Sequence, residues 1–137
     1  MVALQFLAAD VASRFRFEEL APESDGDVPL RVVRYQETST PTIIRVNGEA
    51  DALAHGRVWV DQATGRVHRT ELVIGNADSD IRLVSDYRRD ERLDLWVPSR
   101  MTERYDYTQR LSDIIECEAV YSNFRRFEAT GRIVVPK

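Results

Sequence analysis

Cysteine is almost missing from this sequence: its 137 residues include only Cys117. A single sulfur excludes an internal disulfide framework and any cysteine-based zinc site, since both need several thiols. Long apolar runs are missing too, so no segment reaches the roughly 18 residues that a membrane-spanning helix needs. The start, Met1 to Asp10, looks apolar, but it has no basic flank and runs straight into Arg14-Phe15-Arg16-Phe17, so it does not read as an uncut signal peptide. Basic charge is not in excess. Lys plus Arg is 19 against 23 for Asp plus Glu, giving a net charge of -4 and a pI near 5.2. No global field gathers phosphates, and general nucleic-acid binding is not expected. Lysine is the scarcest charged residue, with Lys137 the only one. We draw no function from that bias.

What remains is 43% hydrophobic and 31% charged, a balance that folds into one domain spanning residues 1–137. No repeat, linker or low-complexity tract divides it. Val2, Phe6, Leu7 and Val11 recur at helical spacing and predict a short amphipathic helix over Val2 to Ser13, the one helix of the chain. From Arg14 the period changes to two, the mark of a strand with one apolar face. Residues 21–29, with two prolines, a glycine and several acids, read as a solvated loop.

Leu30 to Gln36 and Thr42 to Val46 are short and rich in β-branched or aromatic residues, which predicts strands. After the Asn47-Gly48 turn signal, Glu49 to His55 reads as a connection. Two β-rich runs then flank Asp61-Gln62-Ala63-Thr64-Gly65, where Asp61 can cap the turn and Gly65 can take a positive φ. Further strands are predicted over Ile81 to Tyr87, Leu95 to Tyr107, Asp113 to Ser122 and Arg125 to Val135. Pro98 implies an edge or a bulge within its strand, and Gly131 is a possible bulge in the last.

Short turns and the absence of intervening helices exclude a parallel sheet. The expected fold is mainly β: a single strongly curved antiparallel sheet, an incomplete barrel of about nine strands, with the N-terminal helix covering the concave face. The alternation assigns the faces. His68, Thr70, Leu72 and Ile74 share one side, with Ile81, Leu83, Ser85 and Tyr87, with Leu95, Val97, Met101 and Tyr105, and with Ile115, Cys117, Ala119 and Tyr121. Opposite them lie Arg69, Glu71, Arg82, Asp86, Arg100, Arg104, Glu116 and Glu118, a lattice suited to cross-strand ion pairs in water. A short helix is too small to hide the whole apolar face.

Catalytic signatures are sparse. His55 and His68, with Asp51 and Asp61, are the elements of a metal site on paper, yet no pair has helical ligand spacing, so they read as a loop and a strand histidine. Asp113, Glu116 and Glu118 offer paired carboxylates, but Glu116 and Glu118 fall among arginines and read as ion-pair partners. There is no Gly-x-Ser-x-Gly and no glycine-rich phosphate loop, and Cys117 reads as a small core residue. Arg14-Phe15-Arg16-Phe17 and Phe124-Arg125-Arg126-Phe127 interleave arginine with aromatics as base-stacking surfaces do, and strand alternation accounts for them equally well. No cofactor is expected. The apolar groove is the remaining candidate, lined by Leu72, Leu83, Tyr87, Met101, Tyr105, Ile115 and Tyr121, whose thioether and phenolic edges suit a chain-like ligand.

Three stretches in order, Val58-Trp59-Val60-Asp61-Gln62-Ala63-Thr64-Gly65-Arg66-Val67, Leu95-Trp96-Val97-Pro98 and Tyr121-Ser122-Asn123-Phe124, give a resemblance. Together they resemble the later half of the lipoprotein-sorting superfamily of the LolA and LolB type. The resemblance covers roughly residues 56 to 125. It implies a strongly curved, incomplete antiparallel barrel whose apolar cavity holds acyl chains or another greasy ligand, placed in the periplasm or cell envelope if the chain is a fragment of a longer exported protein. The expected function is a non-catalytic binding domain for a lipid-like or acylated ligand. The alternative is an interaction module whose sheet edges pair with a second copy, as a homodimer, or with the rest of a parent protein.

Overall fold

The computed structural model describes residues 8–46, 50–75, 79–107 and 113–127. Ten strands follow in order: β1 (Phe15–Glu19), β2 (Glu23–Asp25), β3 (Val28–Glu37), β4 (Arg45–Val46), β5 (Ala50–Asp51), β6 (Ala54–Asp61), β7 (Val67–Gly75), β8 (Ser79–Asp90), β9 (Leu95–Tyr107) and β10 (Asp113–Val120). Eight of them form one open antiparallel sheet in the order β1-β3-β6-β7-β8-β9-β10, with β2 also pairing β3, while β4 and β5 pair only each other. The half-barrel-like, mainly β architecture is therefore the one the alternation implied.

The N-terminal helix is a correction. Residues 1–7 lie outside the described residues, and beyond them the only helical element described is a single 3-10 turn, Ala12–Arg14. None of its residues is buried. The cover over the apolar face comes instead from the segment between β3 and β6, which carries the β4-β5 ribbon. Ala52 is fully buried there, as is Ala54 at the start of β6, and Ile43 and Ile44 pack on the cluster that holds Phe15, Tyr35, Val58, Leu72 and Ile74 of the sheet. Thr42 to Val46 was expected as a sheet strand, yet only Arg45–Val46 is extended and it lies on the cover.

Two carboxylates fasten this strap. Glu37, at the end of β3 and 1% exposed, accepts hydrogen bonds from the backbone of Ile43 (2.9 Å) and Ala54 (3.3 Å), with Arg14 3.6 Å away. Asp51 accepts from the Thr42 backbone (2.7 Å) and lies 3.0 Å from the Thr42 hydroxyl, which also accepts from the Ala52 N–H. The Thr42 backbone bond is the main reason the Asp51 carboxyl is held below its ordinary pKa.

Residues 21–29 are not wholly loop, because Glu23–Asp25 pairs with Val28–Leu30 around the positive-φ Gly26. β1 and β2 thus run one after the other along the same edge of β3. β3 changes sides as it goes. Tyr35 and Glu37 are buried under the strap, while Leu30 and Val32 are buried on the other face with Trp59, joined by Leu20 and Val28 in a second small core.

Two bulges re-aim side chains. In β7 the register slips at Trp59/Val60, with His68 as the extra residue. In β9 it slips at Asp86/Tyr87, with Ser99 as the extra residue one position after Pro98, the irregularity that proline implied. Beyond Ser99 the register is shifted by one residue, so the alternation expected for Leu95 and Val97 does not hold. Tyr87 is opposite Pro98, Arg88 opposite Val97, Arg89 opposite Trp96 and Asp90 opposite Leu95. The strand expected over Arg125 to Val135 is not extended at residues 125–127, and its remainder, with Gly131, lies outside the described residues, as does Asn47-Gly48.

Candidate apolar binding surface

The candidate surface is built from residues that antiparallel pairing places side by side. Row by row across the sheet, Ala54, Ile74, Ile81, Tyr105 and Ile115 are aligned, as are Gly56, Leu72, Leu83, Glu103 and Cys117, then Val58, Thr70, Ser85, Met101 and Ala119. Burial falls steadily along the first row. Ala54 is fully covered, Ile74 is 7% exposed, Ile81 and Tyr105 are half-buried, and Ile115 is 49% exposed. The strap reaches only the first half of the sheet. Over β8 to β10 the same rows continue and become more exposed.

The residues singled out from sequence share this face but divide into two groups. Leu72 is 2% exposed and belongs to the core beneath the strap. Tyr87 is also buried, its hydroxyl 3.4 Å from that of Thr70, and burial is the main cause that raises its pKa. Leu83, Met101, Tyr105 and Tyr121 are half-buried, and Ile115 is exposed. These form the accessible surface. Tyr121 follows β10, its backbone N–H donates to Ser99 (3.0 Å), and its hydroxyl lies 3.8 Å from the Met101 sulfur.

Sequence reasoning missed one residue of this surface. Glu103 sits in the middle of the apolar rows and accepts a hydrogen bond from the Tyr105 hydroxyl (2.9 Å), which is the main reason that phenol titrates above its ordinary value. Its position in the alternation was the available signal. Trp96 lies on the far side of the Ser99 bulge. Its indole N–H donates to the Val67 carbonyl (2.5 Å), His68 is 5.0 Å from its ring, and the Arg66 guanidinium lies 5.6 Å over it.

The other face is the charge lattice that alternation assigned. Arg100 pairs with Glu118 (2.9 Å), Arg104 with Glu116 (2.7 Å), Arg69 with Asp86 (2.6 Å), and Arg34 with Glu18. A depression of about 480 Å³ lies among Arg82, Arg100, Thr102, Arg104, Glu116 and Glu118. Most of these pairs are exposed and contribute little to stability. Glu71 is different. Its side chain is 7% exposed, Arg57 binds it at 2.5 Å, and Arg82 binds its other oxygen. Burial pushes its carboxyl up, but the two guanidinium groups outweigh that and leave it below its ordinary pKa.

The histidines do not meet. His55 lies opposite Val73, at the far end of β7 from His68, and the His68 Nδ1 is 3.7 Å from Asp25. Among the described residues no three His, Cys, Asp or Glu side chains cluster as a metal site. Nor does any described helix have the length and apolarity to cross a membrane. Cys117, expected in the core, is exposed on β10. No family model matches the chain, and no curated protein or solved structure matches it either.

Proposed function

We propose that this chain is a non-catalytic binding domain whose uncovered apolar face, over β8 to β10, takes a lipid-like or acylated ligand. The observation that supports it is the fall in burial from Ile74 through Ile81 and Tyr105 to Ile115, which among the described residues leaves the β10 end of a continuous apolar face exposed. A flexible thioether (Met101), phenol edges (Tyr105, Tyr121) and aliphatic groups (Leu83, Ile115) form a surface for an alkyl chain rather than for a rigid polar molecule. Glu103 and the Tyr105 hydroxyl supply its polar point. The resemblance to the lipoprotein-sorting superfamily supports the same ligand class and a place in the cell envelope.

Native mass spectrometry of the purified protein, followed by organic extraction, tests the reading. A co-purifying lipid, lost from a folded Met101→Asp/Tyr105→Asp double variant, is the expected result. A folded double variant that keeps its lipid overturns the site. A wild-type protein free of ligand overturns the function and favours an interaction module instead.

A further inference from the structure

β10 ends the sheet. Among the described residues only β9 pairs with it, so its outer edge presents unpaired backbone N–H and C=O groups. Edges of this kind are ordinarily blunted by lysine, proline or a bulge. β10 has no lysine or proline, and its register with β9 runs without a slip from Asp113 to Val120. It also carries three exposed large hydrophobics: Ile114 at 47%, Ile115 at 49% and Val120 at 72%.

The order of residues on this strand is symmetric. From Ile114 to Val120 it reads Ile-Ile-Glu-Cys-Glu-Ala-Val, two apolar residues, an acid, the cysteine, an acid, two apolar residues, the same in either direction. We propose that two copies of this chain pair antiparallel through β10 about a two-fold axis at Cys117, joining their sheets into one. In that register Ile114 faces Val120 of the second copy, Ile115 faces Ala119, Glu116 faces Glu118, and Cys117 faces its own equivalent. Because the axis passes through a residue, each face meets its like. Ile115, Cys117 and Ala119 extend the apolar side across the junction, and the glutamates extend the charged side.

The facing glutamates do not repel unopposed. In each copy Arg104 holds Glu116 at 2.7 Å and Arg100 holds Glu118 at 2.9 Å, so every acid at the junction brings its own guanidinium. The contact is isologous and closes at two copies rather than growing into a fibre. Residues directly opposite in an antiparallel pair have Cα atoms about 4.5 or 5.5 Å apart. Both separations lie within the range that a disulfide spans.

Sedimentation and chemical cross-linking test this together. Under reducing conditions the wild-type chain is expected to be a dimer, and Ile114→Lys/Val120→Lys a monomer with an unchanged circular dichroism spectrum, since both side chains face solvent. Diamide takes two protons and two electrons from a thiol pair and becomes the hydrazine. It is expected to link the wild-type dimer through Cys117 and to leave the lysine variant unlinked, although that variant keeps Cys117. Cys117→Ser is expected to remain a dimer that diamide does not link. A reduced wild-type protein that is monomeric overturns the proposal, as does a dimer untouched by the two lysines. A dimer that diamide fails to link overturns the register.

Discussion

The Tyr35 hydroxyl donates a 2.8 Å hydrogen bond to the main-chain carbonyl of Glu71, and it does so across Gly56 of the strand between them. A Cβ at position 56 would lie 1.9 Å from that carbonyl oxygen and 2.7 Å from the phenol. The missing side chain is thus the space in which a buried tyrosine finds its partner; burial is also the chief reason its pKa is raised. Gly56→Ala is expected to destabilise the fold by about 3 kcal/mol, the upper range for overpacking, because backbone rather than a flexible side chain must move. Tyr35→Phe loses one buried hydrogen bond and is expected to cost about 1–2 kcal/mol. Urea denaturation of the two variants gives the ranking directly, and an alanine variant milder than the phenylalanine one contradicts it.

At Gly65 the constraint is of another kind. A Cβ there meets nothing within 4 Å, but φ is +69°, in the left-handed region. Gly65→Ala is expected to cost about 1 kcal/mol and Gly65→Asn clearly less, since asparagine tolerates that conformation. Thermal melts of both variants check the order.

The strap hangs on Glu37. Glu37→Ala leaves the Ile43 and Ala54 N–H groups without their carboxylate acceptor in a buried setting, at an expected cost of about 2–4 kcal/mol for the pair. Hydrogen exchange gives the sharper readout. The amides of Ile43, Ala52 and Ala54 are expected to lose protection first, while β8 and β9 keep theirs. Uniform loss across the sheet counts against a strap that opens on its own.

Acid acts on Glu71. Its carboxyl is depressed below its ordinary value of 4.5 in the folded chain, so the Arg57 and Arg82 pairing contributes fully above that pH. The contribution is lost as pH falls through the lower folded value. The stability difference between wild type and Glu71→Gln is therefore expected to be constant at neutral pH and to shrink below about pH 4.5. Denaturation of both proteins across the acid range measures it, and a difference independent of pH removes the ion-pair explanation.

Strand content was legible because alternation survives wherever one face meets water. β9 was anticipated over its whole length, Leu95–Tyr107, and β7, β8 and β10 to within a few residues. The charged face followed from the same periodicity, and its ion pairs are the ones that cross-strand neighbours predict. What escaped depends on contacts distant in sequence. Nothing near Thr42 to Val46 shows that Glu37 and Asp51 will hold this stretch over the core, so it read as one more strand. The bulge at Ser99 was foreshadowed by Pro98 but not its consequence, the one-residue shift that sets Val97 opposite Arg88. Of the candidate surface, Leu83, Met101, Tyr105, Ile115 and Tyr121 fell on the right face and remained accessible. Leu72 and Tyr87 fell on the right face and were taken into the core.

The chain also carries two optical probes. Its two tryptophans sit in different surroundings. Trp59 is 5% exposed in the small core with Leu30 and Val32, its indole bonded to Glu23, with Arg57 and Arg69 over its ring. Trp96 is half-buried, with His68 and Arg66 beside its ring. In a Trp59→Phe variant the remaining emission comes from the surroundings of Trp96 alone, and in a Trp96→Phe variant from the small core alone. Each tryptophan thus reports on its own neighbourhood, so a change at either can be followed in solution without attaching a label.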